Sequence, residues 1–205
     1  MLCPGLGGRI DNLYTTAILF YAKERGYKVG SIYFRCSETI PITSPKIHYS
    51  GRWDDLKCIV EYVQSKYVID PNTGQKKASL YAFGCSQGAL MLGLYAGYDA
   101  EKASKILDGM VLYATPWNTR DGWKSFRENF FGIYSWVIGM TLSKNLRTKV
   151  LPKIKSMLSE KDYRAYKEGL DNNKTGLVGL DENIYVKMYG YKDVWHYYDY
   201  VTLVD

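Results

Sequence analysis

Histidine is scarce in this 205-residue sequence, which contains only His48 and His196. A mechanism that needs an imidazole base, or a histidine-rich metal site, has few residues to draw on here. Cysteine is sparse as well. Cys3, Cys36, Cys58 and Cys85 show neither metal-ligand spacing nor the density of a disulfide scaffold. No metal or cofactor is expected, and reduced thiols point to a cytoplasmic protein. There is no block of like charges and no basic arm, and the net charge of +6 is spread along the chain. Nucleic acid is therefore not an expected partner. A secretory leader is not expected either, because Pro4, Gly5, Gly7, Gly8, Arg9 and Asp11 interrupt the start. The uncharged stretch from Phe130 to Ser143 is shorter than the ~17–25 apolar residues of a spanning helix, so no membrane span is expected. Asn173-Lys174-Thr175 matches a glycosylation sequon that we attribute to chance.

What the sequence does contain is ordinary globular material, 46% hydrophobic and 23% charged, with 20 tyrosines. Short apolar runs alternate with longer amphipathic ones, the pattern of βαβ units and a parallel sheet. The expected strands are Met1 to Cys3, Lys28 to Phe34, Ala78 to Gly84 and Leu107 to Ala114. The expected helices among them are Asn12 to Arg25, Trp53 to Tyr67 and Gln87 to Tyr98. Glu38 to Ser50, with Pro41 and Pro45, reads as an irregular loop. After Asn118 the strand period disappears, and Trp123 to Asn129, Gly132 to Lys155, Glu160 to Gly169 and Leu180 to Tyr189 read as helix or loop. The division expected is a core over 1–117 and a helical cap over 118–205.

Gly84-Cys85-Ser86-Gln87-Gly88 fits G-x-S-x-G between a buried strand and an apolar helix. The chemistry explains the spacing. A serine on a sharp strand-to-helix bend projects its hydroxyl, and the crowded bend requires glycine on both sides. The N–H of Gln87 would face a developing oxyanion at the helix N-terminus. Cys3-Pro4-Gly5-Leu6-Gly7-Gly8 is a second glycine-rich loop after a strand, and the N–H of Leu6 could supply the other oxyanion donor. A dinucleotide loop, and with it an NAD(P)-dependent oxidoreductase, is the rival reading. Gly5 and Gly7 fit G-x-G-x-x-G, but Ile10 stands at the third glycine. A base is harder to find. His48 precedes the serine, whereas His196 follows it but has no visible strand before it; Asp121 is the formal acid. Asp54 and Asp55 look like helix-start dipole partners, and Cys85 like a small packed side chain. In the segment from Phe130 to Lys155, the aromatics would wall an acyl pocket and the bases would face anionic lipid. An ordinary helix with a solvated basic face remains open.

Taken in chain order, these features resemble the YheT-type branch of the α/β-hydrolases (AB hydrolase family four), which comprises esterases and acylglycerol lipases. The resemblance rests on Cys3-Pro4-Gly5-Leu6-Gly7-Gly8, Arg35-Cys36, Tyr49-Ser50-Gly51 leading to Asp54-Asp55-Leu56, and Tyr81 through Ala89. It continues through Tyr95-Ala96-Gly97, Tyr189-Gly190-Tyr191 and Tyr197-Tyr198. It implies an α/β-hydrolase fold, with a partial, mostly parallel sheet flanked by helices and a helical cap. It also implies a serine ester hydrolase with Ser86 as nucleophile and the N–H groups of Leu6 and Gln87 as oxyanion hole. In that register His196 is not the family's histidine, and the chain reads as truncated at both ends, lacking its acid and base. The partners expected on this reading are a small acyl ester or lipid, a membrane surface met by the cap, and a protein covering exposed sheet edges. The alternative class is a non-catalytic hydrolase-like module for binding or assembly.

Overall fold

The computed structural model describes residues 1–37 and 40–204. Of the expected loop from Glu38 to Ser50, Glu38 and Thr39 lie outside the described residues. The chain is helix-rich, with a small three-stranded parallel sheet. It packs as two units. One comprises Met1–Phe34, Ser50–Trp117 and Leu203–Asp205, the other Arg35–Tyr49 and Asn118–Thr202.

In the first unit the order is β1 (Leu2–Cys3), α1 (Leu13–Glu24), α2 (Trp53–Val63), β2 (Tyr81–Cys85), α3 (Gln87–Tyr98), α4 (Ala100–Ile106) and β3 (Gly109–Tyr113). β1 is two residues long because Pro4 follows it, and proline cannot donate to a ladder. β2 pairs in parallel with β1 and, over five register positions, with β3. The expected strand from Lys28 to Phe34 shrinks to one parallel bridge, Leu2 to Ser31, held by Leu2 N–H to Gly30 O (2.8 Å) and Ile32 N–H to Leu2 O (3.0 Å). A two-residue β1 offers no further partners. The helix expected to reach Tyr67 instead ends at Val63 in a π-helical turn over Gln64–Val68. α4 was not anticipated from the sequence. Leu56, Val60, Leu80, Ala82, Met91, Leu92, Tyr95 and Ile106 form the core of this unit. At its end the chain returns here, with the Leu203 N–H donating to the Trp117 carbonyl (2.8 Å).

The second unit is helical: α5 (Thr119–Glu128), α6 (Ile133–Asn145), α7 (Leu151–Ile154), α8 (Glu160–Asp171), α9 (Leu177–Leu180), α10 (Lys187–Tyr189) and α11 (Val194–Tyr200). The loop residues Arg35–Tyr49 pack with it through Tyr49. That ring stacks on Tyr189 (centroids 4.0 Å apart) and on Tyr185, and its hydroxyl meets that of Tyr191 at 2.7 Å. Asn173 is buried, donating to Ser143 Oγ (2.8 Å) and the Gly176 carbonyl (2.9 Å), so the sequon asparagine is a turn clamp. Phe131 is fully exposed and Phe130, Tyr134 and Trp136 are more than half exposed.

Candidate active site

From β1 the chain crosses to pair at Ser31 on one side, then passes to β2 on the other side of β1. The strand order therefore reverses between β1 and β2. The crevice beyond their carboxyl ends is the place where open α/β sheets bind ligands. The loop Pro4–Asn12 and the bend at Ser86 both emerge there.

Ser86 occupies φ 51°, ψ −115°, a left-handed conformation unusual for any residue with a Cβ. Its neighbours hold it there. The Ser86 N–H donates to the Tyr113 carbonyl at the end of β3 (2.9 Å), and its carbonyl accepts the Leu90 N–H (3.0 Å). Gly84 has no room for a side chain, since a Cβ would lie 2.5 Å from Ala89 Cα in the first turn of α3. Gly88 has still less. Its Cβ would lie 2.1 Å from the Cys3 carbonyl oxygen and 2.5 Å from that of Pro4. Both glycines of the motif are thus required by backbone-to-backbone approach, one between β2 and α3 and one between α3 and the end of β1.

Ser86 is half-buried and its hydroxyl does not cap α3. The Gly5 backbone runs against this bend, a Cβ there lying 3.3 Å from both Cys85 O and Ser86 Cβ. Gly5 donates its N–H to the Tyr14 hydroxyl (3.0 Å) at the start of α1, and the Gly8 N–H closes the turn on Gly5 O (2.8 Å). Between them Leu6 is exposed, and its N–H has no acceptor among the described residues. Gln87 opens α3, where its N–H belongs to the positive helix end, and its side chain donates to Ser50 Oγ (3.1 Å). Cys85 is half-buried, and partial desolvation pushes its thiol up. Sequence reasoning passed over Tyr14, although a tyrosine nine residues after Gly5 can reach back over the loop.

Of the remaining candidates, Asp54 and Asp55 belong to the first unit, and Asp121 and His196 to the second. Asp54 and Asp55 lie in the first turn of α2 and both hold Arg52, each at 2.9 Å. In the second unit, Asp121 is a cap partner of Asn118 at the start of α5. His196 lies in the first turn of α11. Its N–H is capped by Asp193 Oδ1 (2.8 Å), and its Nδ1 accepts the Lys192 N–H (3.2 Å). That second bond occupies Nδ1, the nitrogen through which a triad histidine donates to its acid. The glycine loop after β1 does not run directly into a helix. Pro4–Asn12 intervene before α1, so the helix-borne pyrophosphate cradle of a dinucleotide site is not formed.

Comparison with known proteins finds distant relatives. The chain is 20% identical over 214 residues to the Homo sapiens protein named Monoacylglycerol lipase ABHD2, covering 97% of this chain and 46% of that one. It is 26% identical over 153 residues to Embryogenesis-associated protein EMB8 of Picea glauca, covering 75% of this chain and 31% of that one. This is a likeness at the level of the α/β-hydrolase superfamily. The chain spans less than half the length of either relative. No family model and no solved structure matches.

Proposed function

We propose that this chain carries the nucleophile and oxyanion hole of a serine ester hydrolase of the YheT type, acting on acylglycerol-like or short acyl esters. The observation that carries the reading is the left-handed Ser86, wedged between two obligatory glycines at the crevice where the strand order reverses. The distant relative named a monoacylglycerol lipase supports the substrate class. In this reaction Ser86 Oγ attacks the ester carbonyl and loses its proton to a base. The N–H groups of Leu6 and Gln87 receive the oxyanion. Collapse expels the alcohol, leaving an acyl-serine that water hydrolyses. Tyr14 fixes the Leu6 loop by accepting the Gly5 N–H. His196, with Nδ1 engaged, is not the base we assign. We assign no base and no acid among the described residues.

A fluorophosphonate probe tests it. An oxyanion hole without a base retains about 10³–10⁴-fold catalysis over water, so labelling should be slow but stoichiometric, and absent in Ser86→Ala. Labelling that survives in Ser86→Ala, or none after prolonged exposure, refutes the proposal. The engagement of His196 Nδ1 favours a second reading, a hydrolase-like module that binds esters without turning them over. An unlabelled chain that still binds a non-hydrolysable ester analogue would support that one.

A further inference from the structure

α6 is built inside out. Its buried residues are Ser135, Gly139 and Ser143, spaced four apart on one face. That face meets the backbone of α9 and the turn before it. A Cβ on Gly139 would lie 2.0 Å from the Gly176 carbonyl carbon, and Ser135 Oγ accepts the Leu177 N–H (3.4 Å). Five of its large side chains go the other way. Ile133, Tyr134, Trp136, Val137 and Met140 all face solvent. In water the hydrophobic effect selects the reverse arrangement. Small residues inside and large apolar ones outside is the pattern of a helix whose outer solvent is lipid.

The segment before α6 extends the same surface. Phe130, Phe131 and Gly132 are three successive left-handed residues, at φ 50°, 56° and 72°. Aromatic residues adopt that conformation only at a cost. Here it turns Phe131 fully, and Phe130 mostly, into solvent at the N-terminal end of α6, with the Phe130 ring edge-on to Tyr134 (5.4 Å). The charge of the segment is one-sided. No Asp or Glu occurs between Glu128 and Glu160, while Lys144, Arg147, Lys149, Lys153 and Lys155 do. Lys144 continues the exposed stripe Ile133, Val137, Met140 by helical spacing, and Arg147 is ion-paired to Asp171 (3.2 Å).

We infer that the 130–131 tip and the outer face of α6 dock on the surface of a bilayer bearing anionic headgroups. Phe130 and Phe131 enter the acyl boundary, Tyr134 and Trp136 sit at headgroup depth, and Lys144 meets the lipid phosphates. This is interfacial binding, since no described helix is long and apolar enough to cross a membrane. A second copy of the chain is the poorer occupant, because it would bring an acid-free basic segment against itself. The inference stands whether or not Ser86 is a nucleophile.

Vesicle flotation tests it, with phosphatidylcholine vesicles prepared with and without phosphatidylserine. The chain should float with the anionic vesicles, and binding should weaken with salt. The double variant Phe130→Ser/Phe131→Ser should lower the partition coefficient at least about tenfold, from the apolar area withdrawn from lipid. Lys144→Glu should lower it about fivefold or more on anionic vesicles and little on neutral ones. In the unaltered chain, lipid brominated near the headgroup should quench tryptophan emission, less so in Trp136→Phe. Failure to float with anionic vesicles, or flotation unchanged in the double variant, overturns the inference. So does a dimer in light scattering that dissociates in that variant.

Discussion

Replacing Ser86 by glycine should make the protein more stable. The residue sits at φ 51°, ψ −115°, and makes no side-chain cap bond that a substitution could remove. A residue with a Cβ pays about 1–3 kcal/mol in such a conformation. Glycine adopts it without that cost but loses about 0.5–1 kcal/mol of extra backbone entropy. The net for Ser86→Gly lies within about 0–2.5 kcal/mol and is centred near 1 kcal/mol of stabilisation, a rise of roughly 2–4 °C in Tm for a chain of this size. Ser86→Ala keeps the Cβ and the strain, so its stability should stay within about 0.5 kcal/mol of the parent. Equilibrium unfolding in urea, followed by circular dichroism, reads both. An ordinary unstrained N-cap serine predicts a different pattern, with Ser→Ala costing about 0.5–2 kcal/mol and Ser→Gly a few tenths. If Ser86→Gly is no more stable than the parent, the strain is not there. The bend at Ser86 is then an ordinary tight turn.

Two other perturbations follow from the same geometry. Tyr14→Phe removes the acceptor of the Gly5 N–H and should cost about 1 kcal/mol. It should also slow fluorophosphonate labelling of Ser86 severalfold with the secondary structure unchanged; unaltered labelling would dissociate Tyr14 from the loop's function. Asp181 is buried, accepts only the Tyr198 hydroxyl (2.7 Å) among the described bonds, and is pushed up to about 7 by desolvation. Its folded pKa lies above the unfolded value of about 4, so the native state binds the extra proton between those limits. Its contribution is therefore present below pH 4 and is lost as pH rises towards 7, by about 1.4 kcal/mol per unit at most. Asp181→Asn should flatten the stability profile between pH 5 and 7; the same slope in both proteins would remove Asp181 as its source.

The first unit was more legible than the second because its signals are local. Pro4 after an apolar dipeptide, an apolar run ending in Gly84, and a serine between spaced glycines each dictate a bend wherever the chain goes next. The strand around Ser31 was overestimated because pairing depends on the partner, and β1 supplies only two residues. α11 went unread although Asp193 is a good N-cap, its carboxylate meeting the His196 N–H. The aromatic run Trp195 to Tyr198 has no clean period to accompany that cap. In α6 the apolar residues were visible but their direction was not. Period identifies a stripe, and burial of the stripe is the usual inference. Here Ser135, Gly139 and Ser143 had the stronger claim on the interior, because only small residues allow the helix to approach Gly176 so closely.

A left-handed residue at a strand end does not by itself assign a site, and the protein contains its own control. Ala114 follows β3 as Ser86 follows β2, and it too has positive φ, at 50°. The bend recurs while the chemistry does not. Ala114 has no hydroxyl, lies beyond the last described strand of the sheet order, and precedes no helix N-terminus until α5. Ser86 differs in what converges on it. Its N–H is tied to Tyr113, Gly88 presses α3 against the end of β1, and the Tyr14 phenol holds the Gly5 loop beside its Cβ. Each of these contacts could be relaxed by a small change in the backbone, yet all three are kept together with the strain. A tight turn needs only the first of them. Presenting a hydroxyl to an ester beside an exposed N–H needs all three, which is why the functional reading is placed at Ser86 and not at the same bend one strand over.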